Sequence, residues 1–130
     1  MVIQGRPRTG TIQVSIAEIV DRMTILRIKL SLSNLPKPAQ LEAQLQTYVD
    51  ELSRLGAINT SDLCCFLARV NGILWHLENE VRRCEAEHQF GERFICAARM
   101  IIRLNDRRAR IKGQIDELCQ SGFRETKSYT

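Results

Sequence analysis

Apolar residues recur every three or four positions through four stretches of this chain, the spacing that stacks side chains on one face of an α-helix. The longest stretch runs from Gly91 to Gly122, with Phe94, Ala97, Ile101, Leu104, Ile111, Ile115 and Leu118 along its stripe. It predicts one helix of roughly 30 residues, about 45 Å long. Gly122 is the expected stop, because glycine takes the left-handed conformation at a helix end without steric cost. A helix this long must be covered by other long helices.

Three partners are legible upstream. Ser15 followed by Glu18 fits a capping box, with Val14 and Ile19 placed as a hydrophobic staple. The helix that follows carries Ile16, Ile19, Met23, Leu26 and Leu30 on one stripe, widened by Ile12, Val20, Ile25, Ile28 and Leu32. So broad an apolar surface predicts a central helix or one at a subunit interface. Asn34, Pro36 and Pro38 break the pattern. A second helix is expected from Pro38 to Leu55, with Gly56 as its cap and Leu41, Leu45, Tyr48, Leu52 and Leu55 on one side. Asn59 to Asp62 supply cap residues for a third, whose stripe is Leu63, Leu67, Val70, Leu74, Leu77, Val81 and Cys84. Phe90-Gly91 marks the expected turn into the fourth.

Thr11 to Val14 alternates polar and apolar, a short extended piece too small to build a sheet. The expected fold class is therefore all-α: an antiparallel bundle or extended helical hairpins of three to four long helices. Residues 1–10 are expected to form a flexible arm, 11–122 a single helical domain, and 123–130 a tail.

Composition adds boundaries. At 130 residues and 44% hydrophobic, the chain is long and apolar enough for one packed domain. Charges interrupt every apolar run, so no membrane span is expected, and the absence of a leader-like segment makes the cytoplasm the expected compartment. Five cysteines form an odd set without a Cys-x-x-Cys pair, which reads as buried thiols rather than a disulfide framework. The net charge of +4 permits attraction to nucleic acid or anionic membrane without requiring it.

Candidate chemistry concentrates in the fourth helix. Arg108 falls inside the apolar stripe, with Asn105 on the same inner side. A guanidinium there needs a carboxylate or water, since it cannot shed its charge. Glu18, Asp21, Glu78 and Glu80 are the candidate partners. One reading is a structural ion pair that sets helix register. The other is an interhelical pocket in which Arg22, Arg108 and Lys29 grip a small anion by forked hydrogen bonds, as a binding bundle or a small enzyme.

Arg99, Arg103, Arg107 and Arg110 form a ridge that could track phosphates or pair with the acidic end of helix three, Glu78 to Glu87. Cys84 and His88 stand four apart, too few ligands for a structural zinc site. Trp75 is expected to border the core. No phosphate-cradling loop, dinucleotide fingerprint or HExxH helix is present, so no cofactor or metal is implied and no catalytic residue stands out.

Three stretches together resemble an uncharacterised bacterial family of small proteins, a domain of unknown function. They are Ser15 through Leu30, Leu74 through Arg82 with Phe90 and Phe94-Ile95, and Asn105 through Lys112 with Lys127-Ser128-Tyr129. Residues matching its motifs are Glu18, Asp21, Arg22, Thr24, Trp75, Glu78, Asn105, Asp106, Arg107 and Lys112. This chain departs from the family pattern at Arg27, where glutamate is commoner, and at Asn79, where aspartate is. The resemblance carries no established activity. It implies an accessory role, some relatives being associated with surface-polysaccharide and glycosyltransferase proteins. Together with the apolar breadth of the first helix, it makes a non-enzymatic interaction protein, dimeric or bound to a protein partner, the leading expectation. Anion binding and nucleic-acid binding stand as alternatives.

Overall fold

The computed structural model describes residue 5 and residues 7–32, 38–56 and 61–119. Four helices follow one another: α1 (Ile16–Leu30), α2 (Pro38–Leu55), α3 (Ser61–Ala86) and α4 (Glu92–Leu118). No strand occurs among the described residues, and Thr11–Val14 has no regular structure. The expected break at Asn34–Pro36, the cap residue Asn59, the stop at Gly122 and the tail lie outside the described residues.

Helices α3 and α4 form the longest contact in the molecule, an antiparallel hairpin. Near its turn Arg93 of α4 reaches Glu80 of α3 at 2.9 Å. α1 packs against both helices of the hairpin, and α2 packs against α1. Leu67, Val70 and Leu74 from α3 meet Leu104, Ile111 and Ile115 from α4, with Ala17 and Val20 of α1 laid over them. The central position expected for α1 is the observed one: it touches all three other helices. Ile12 and Leu32 at its flanks nevertheless remain exposed. α2 buries none of its residues fully, although Leu52 rests on the core.

Local chemistry explains the ends. Ser15 Oγ accepts the Glu18 amide at 3.1 Å, the first half of a capping box. The second half is replaced, because the Glu18 carboxylate is held by Arg22 and Lys112. Asp116 of α4 supplies a further cap, accepting the Ala17 amide at 2.8 Å across the helix interface. Ser15→Ala is expected to cost about 1 kcal/mol of unfolding free energy, read by urea titration. No loss would mean that the Asp116 carboxylate alone satisfies this end.

Gly56, at φ +62°, closes α2 as expected. The α3–α4 turn is made differently from the expectation that centred it on Phe90-Gly91. His88 takes the left-handed conformation at φ +53°, its amide bonds Glu85 O, and the Gln89 amide bonds Cys84 O at 2.8 Å. That is a Schellman stop with histidine in the place of glycine. Gly91 instead opens α4 in an extended conformation. α4 runs to Leu118, with Cys119 as its cap. Leu118 is exposed rather than part of the stripe.

Candidate functional site

Helical spacing gathers one polar cluster under α1. Asp21 and Arg22 lie one turn beyond Glu18 on α1, Arg108, Lys112 and Asp116 lie successive turns apart on α4, and Asn71 joins them from α3. Asp21 is the centre, only 1% exposed. Its Oδ1 accepts Arg108 Nε at 3.0 Å and Asn71 Nδ2 at 2.9 Å, and its Oδ2 accepts Arg108 Nη2. This is the two-point fork that matches guanidinium to carboxylate. Asn71 Nδ2 also donates to Thr24 Oγ1 at 2.7 Å, and Thr24 donates in turn to the Asp21 carbonyl at 2.8 Å. Lys112 Nζ bonds Glu18 Oε2 and lies 3.6 Å from Asp21 Oδ2. Arg22 Nε donates to Glu18 Oε1 at 3.1 Å.

Charge in this cluster balances. Glu18, Asp21 and Asp116 are matched in number by Arg22, Arg108 and Lys112; hydrogen bonds tie Glu18 and Asp21 to the three cations, while Asp116 accepts the Ala17 amide. Burial pushes the Asp21 carboxyl upward, but the Arg108 and Asn71 hydrogen bonds and the nearby cations outweigh it and leave it below the usual carboxylate range. Glu18 is likewise lowered: burial opposes, and Lys112 and then Arg22 prevail. The Asp21 hydrogen bond raises Arg108 further above its already high value. Carboxylates held deprotonated and a guanidinium held protonated are poorly placed to exchange protons near neutrality. The fork that an anionic ligand would need at Arg108 is occupied by Asp21.

Of the residues singled out in the sequence, the structure brings Glu18, Asp21, Arg22, Thr24, Arg108 and Lys112 together. Asn105 is exposed, not on the inner side: one turn of α4 carries Leu104 inward, and the next position rotates out of the interface. Glu78 is exposed and reaches Arg108 only through its charge, and Trp75 is half-buried. Asp106 and Arg107 sit on the opposite flank of α4, with Arg103 and Arg110. Glu80 pairs with Arg93 and Arg83 rather than Arg108. Among the described residues none of Arg99, Arg103, Arg107 and Arg110 forms an ion pair, so the acidic end of α3 does not neutralise that ridge.

Cys84 and His88 do not share a helix face, because α3 ends before His88, whose ring stacks edge-on against Phe90. No group of three metal-ligating side chains occurs among the described residues. All five cysteines are free, Cys65 and Cys96 exposed contrary to the buried expectation. No helix among the described residues is long and apolar enough to cross a membrane.

Asn71 and Asp116 belong to the cluster and were not among the sequence candidates. Each left a trace: Asn71 interrupts the α3 stripe between Leu67 and Leu74, and Asp116 follows Lys112 by one turn. Both traces become meaningful only when the opposing helix is known.

Among the described residues, no helix covers the side of the α3–α4 hairpin away from α1. A groove of about 550 Å³ runs there over Val70, Leu104 and Ile111, walled by Phe66 and Ile73 and rimmed by Arg69, Arg107 and Arg110. Phe66 is 52% exposed and Ile73 48%.

Residues 11–130 match a family described as a family of unknown function, DUF6165. No curated protein and no solved structure matches the chain.

Proposed function

This chain belongs to DUF6165, a family of unknown function, and we propose that it is a non-enzymatic helical interaction protein. The observation that carries this reading is the open face of the α3–α4 hairpin, where Phe66 and Ile73 stand in water beside an apolar groove. Large apolar side chains gathered beside a groove gain free energy when a partner covers them. The polar cluster under α1 supports the same reading from the other side. Its ions satisfy one another, so it serves as a clamp that fixes α1 on the hairpin, not as a site with spare donors.

The partner is a second copy or a different protein. A client in surface-polysaccharide synthesis is a narrower form of the proposal, and it rests on the resemblance of the three sequence stretches alone.

Two measurements check the proposal. Light scattering behind size exclusion reads self-association across concentration, and affinity capture from host extract with nuclease reads partners. The expected result is a dimer or a nuclease-resistant protein partner, either of them lost in the Phe66→Ala and Ile73→Ala double variant. A strict monomer that captures nothing would refute it, and so would a partner indifferent to both changes.

A further inference from the structure

We infer that the α3–α4 groove receives one acidic amphipathic helix of a partner protein. The inference rests on the interaction reading above and narrows it to a chemistry. Three features of the groove select the occupant.

The first is the floor. Val70, Leu104 and Ile111 are buried at its base, and Phe66 and Ile73 rise along one wall. An apolar stripe laid along that floor is dehydrated on both sides, which phosphate groups would not exploit. Phe66 is the one aromatic ring among the lining residues, too few for the stacking platform that single-stranded nucleic acid uses.

The second is the rim. Arg69 on α3 and Arg107 and Arg110 on α4 line the groove, and Arg103 continues the row into the adjoining depression. None of these four makes an ion pair among the described residues, and Asp106 is the single acid lining this surface. Carboxylates flanking an apolar stripe would meet these guanidinium groups on both sides, and arginine's fork suits that pairing. A symmetric dimer through this face would set like charges against each other, since each copy presents the same patch. The charge pattern therefore favours a different, acidic chain over a second copy.

The third is length. Phe66 to Ile73 spans about 10 Å of α3, and Arg103 to Gln114 about 16 Å of α4. That accommodates two to three turns of a docked helix, whose anchors would fall at positions i, i+4 and i+7.

Fluorescence anisotropy on the full chain tests this with three probes. They are a helical peptide of leucine and glutamate patterned to one apolar face, its leucine–lysine twin, and a single-stranded oligouridylate. The leucine–glutamate peptide is expected to bind, with affinity falling as salt rises. Arg107→Glu with Arg110→Glu should weaken it by about tenfold or more, and Phe66→Ala with Ile73→Ala should do the same at fixed salt. Phe66, Ile73, Arg107 and Arg110 are all exposed, so circular dichroism should show the helices unchanged.

Equal binding of the lysine twin, no binding of the glutamate peptide, or binding indifferent to both double variants would overturn the inference. Oligouridylate binding lost in the arginine variant would replace it with a nucleic-acid surface. A dimer dissolved by Phe66→Ala with Ile73→Ala would replace it with self-association. Host-extract capture separates the two levels. Capture lost in the Phe66 and Ile73 variant while the glutamate peptide fails to bind leaves the interaction reading standing and removes only the acidic helix. Capture unaffected by that variant removes the interaction reading itself.

Discussion

Asp21→Asn is expected to lower the unfolding free energy by about 3–5 kcal/mol. The change is nearly isosteric, so it opens no cavity. What it removes is the carboxylate charge that pairs directly with Arg108, through two hydrogen bonds, and that lies 3.6 Å from Lys112. The Asp21 side chain is 1% exposed and that of Arg108 28% exposed, so water replaces little of the lost partner. An arginine cannot lose its proton to relieve the strain, and a partly buried cation stripped of its direct partner is the costly outcome. The new amide also has to orient its own N–H groups against the Arg108 and Asn71 donors.

Urea unfolding near neutral pH reads the effect. At roughly 3–5 °C per kcal/mol for a domain of this size, a fall in melting temperature of some 10 °C or more is expected. Glu51→Gln gives the contrast. It breaks an exposed pair with Arg54 one turn away, which solvent screens, and the urea midpoint should stay unchanged. Adding Arg108→Gln to Asp21→Asn should cost less than the sum of the two single changes, since the second removes the ion that the first stranded. A loss below about 1 kcal/mol for Asp21→Asn would show that the cluster is solvated and does not clamp α1.

Acid should reproduce that substitution without changing a residue. Asp21 and Glu18 have folded-state values lowered from those of the free carboxyls. A lowered folded value means that the unfolded chain binds protons first, so protonation favours unfolding. The stabilisation is present in full above the unfolded carboxyl range near pH 4 and is lost as pH falls through the lower folded values. Arg108 adds nothing in this window, its shift being upward from an already high value. Denaturant unfolding at steps from neutral pH to about pH 3 should show a steep decline below roughly pH 4.5. Asp21→Asn should flatten part of that decline, because it removes one of the groups that must be protonated. Parallel pH profiles for the two proteins would place the acid sensitivity elsewhere.

These two results bear on what can be read from a sequence. The four helices were legible because hydrophobic period is local: Leu67, Val70 and Leu74 fall on one face whatever they pack against. Ser15 as a cap and Gly56 as a stop were equally local, each acting on its own backbone neighbours. His88 as the α3 stop was not, because a histidine in the left-handed region leaves no signature that distinguishes it from any other histidine. Arg108 announced itself as an ion inside an apolar stripe, which demanded a carboxylate. Four carboxylates qualified. The choice of Asp21 over Glu18, Glu78 and Glu80 required the register of α1 against α4.

The sequence by itself determined an all-α chain of long amphipathic helices with a charge that had to be paired. Tertiary structure alone decided which pairs form and which faces remain open. Helix period assigns a side chain an angle about its own axis, whereas pairing depends on the offset and rotation of two helices relative to each other. Those are set by the summed packing of the whole interface, from Ala17 and Val20 across to Ile111 and Ile115. The same summation covers one side of the α3–α4 hairpin with α1 and leaves Phe66, Ile73 and three arginines uncovered on the other.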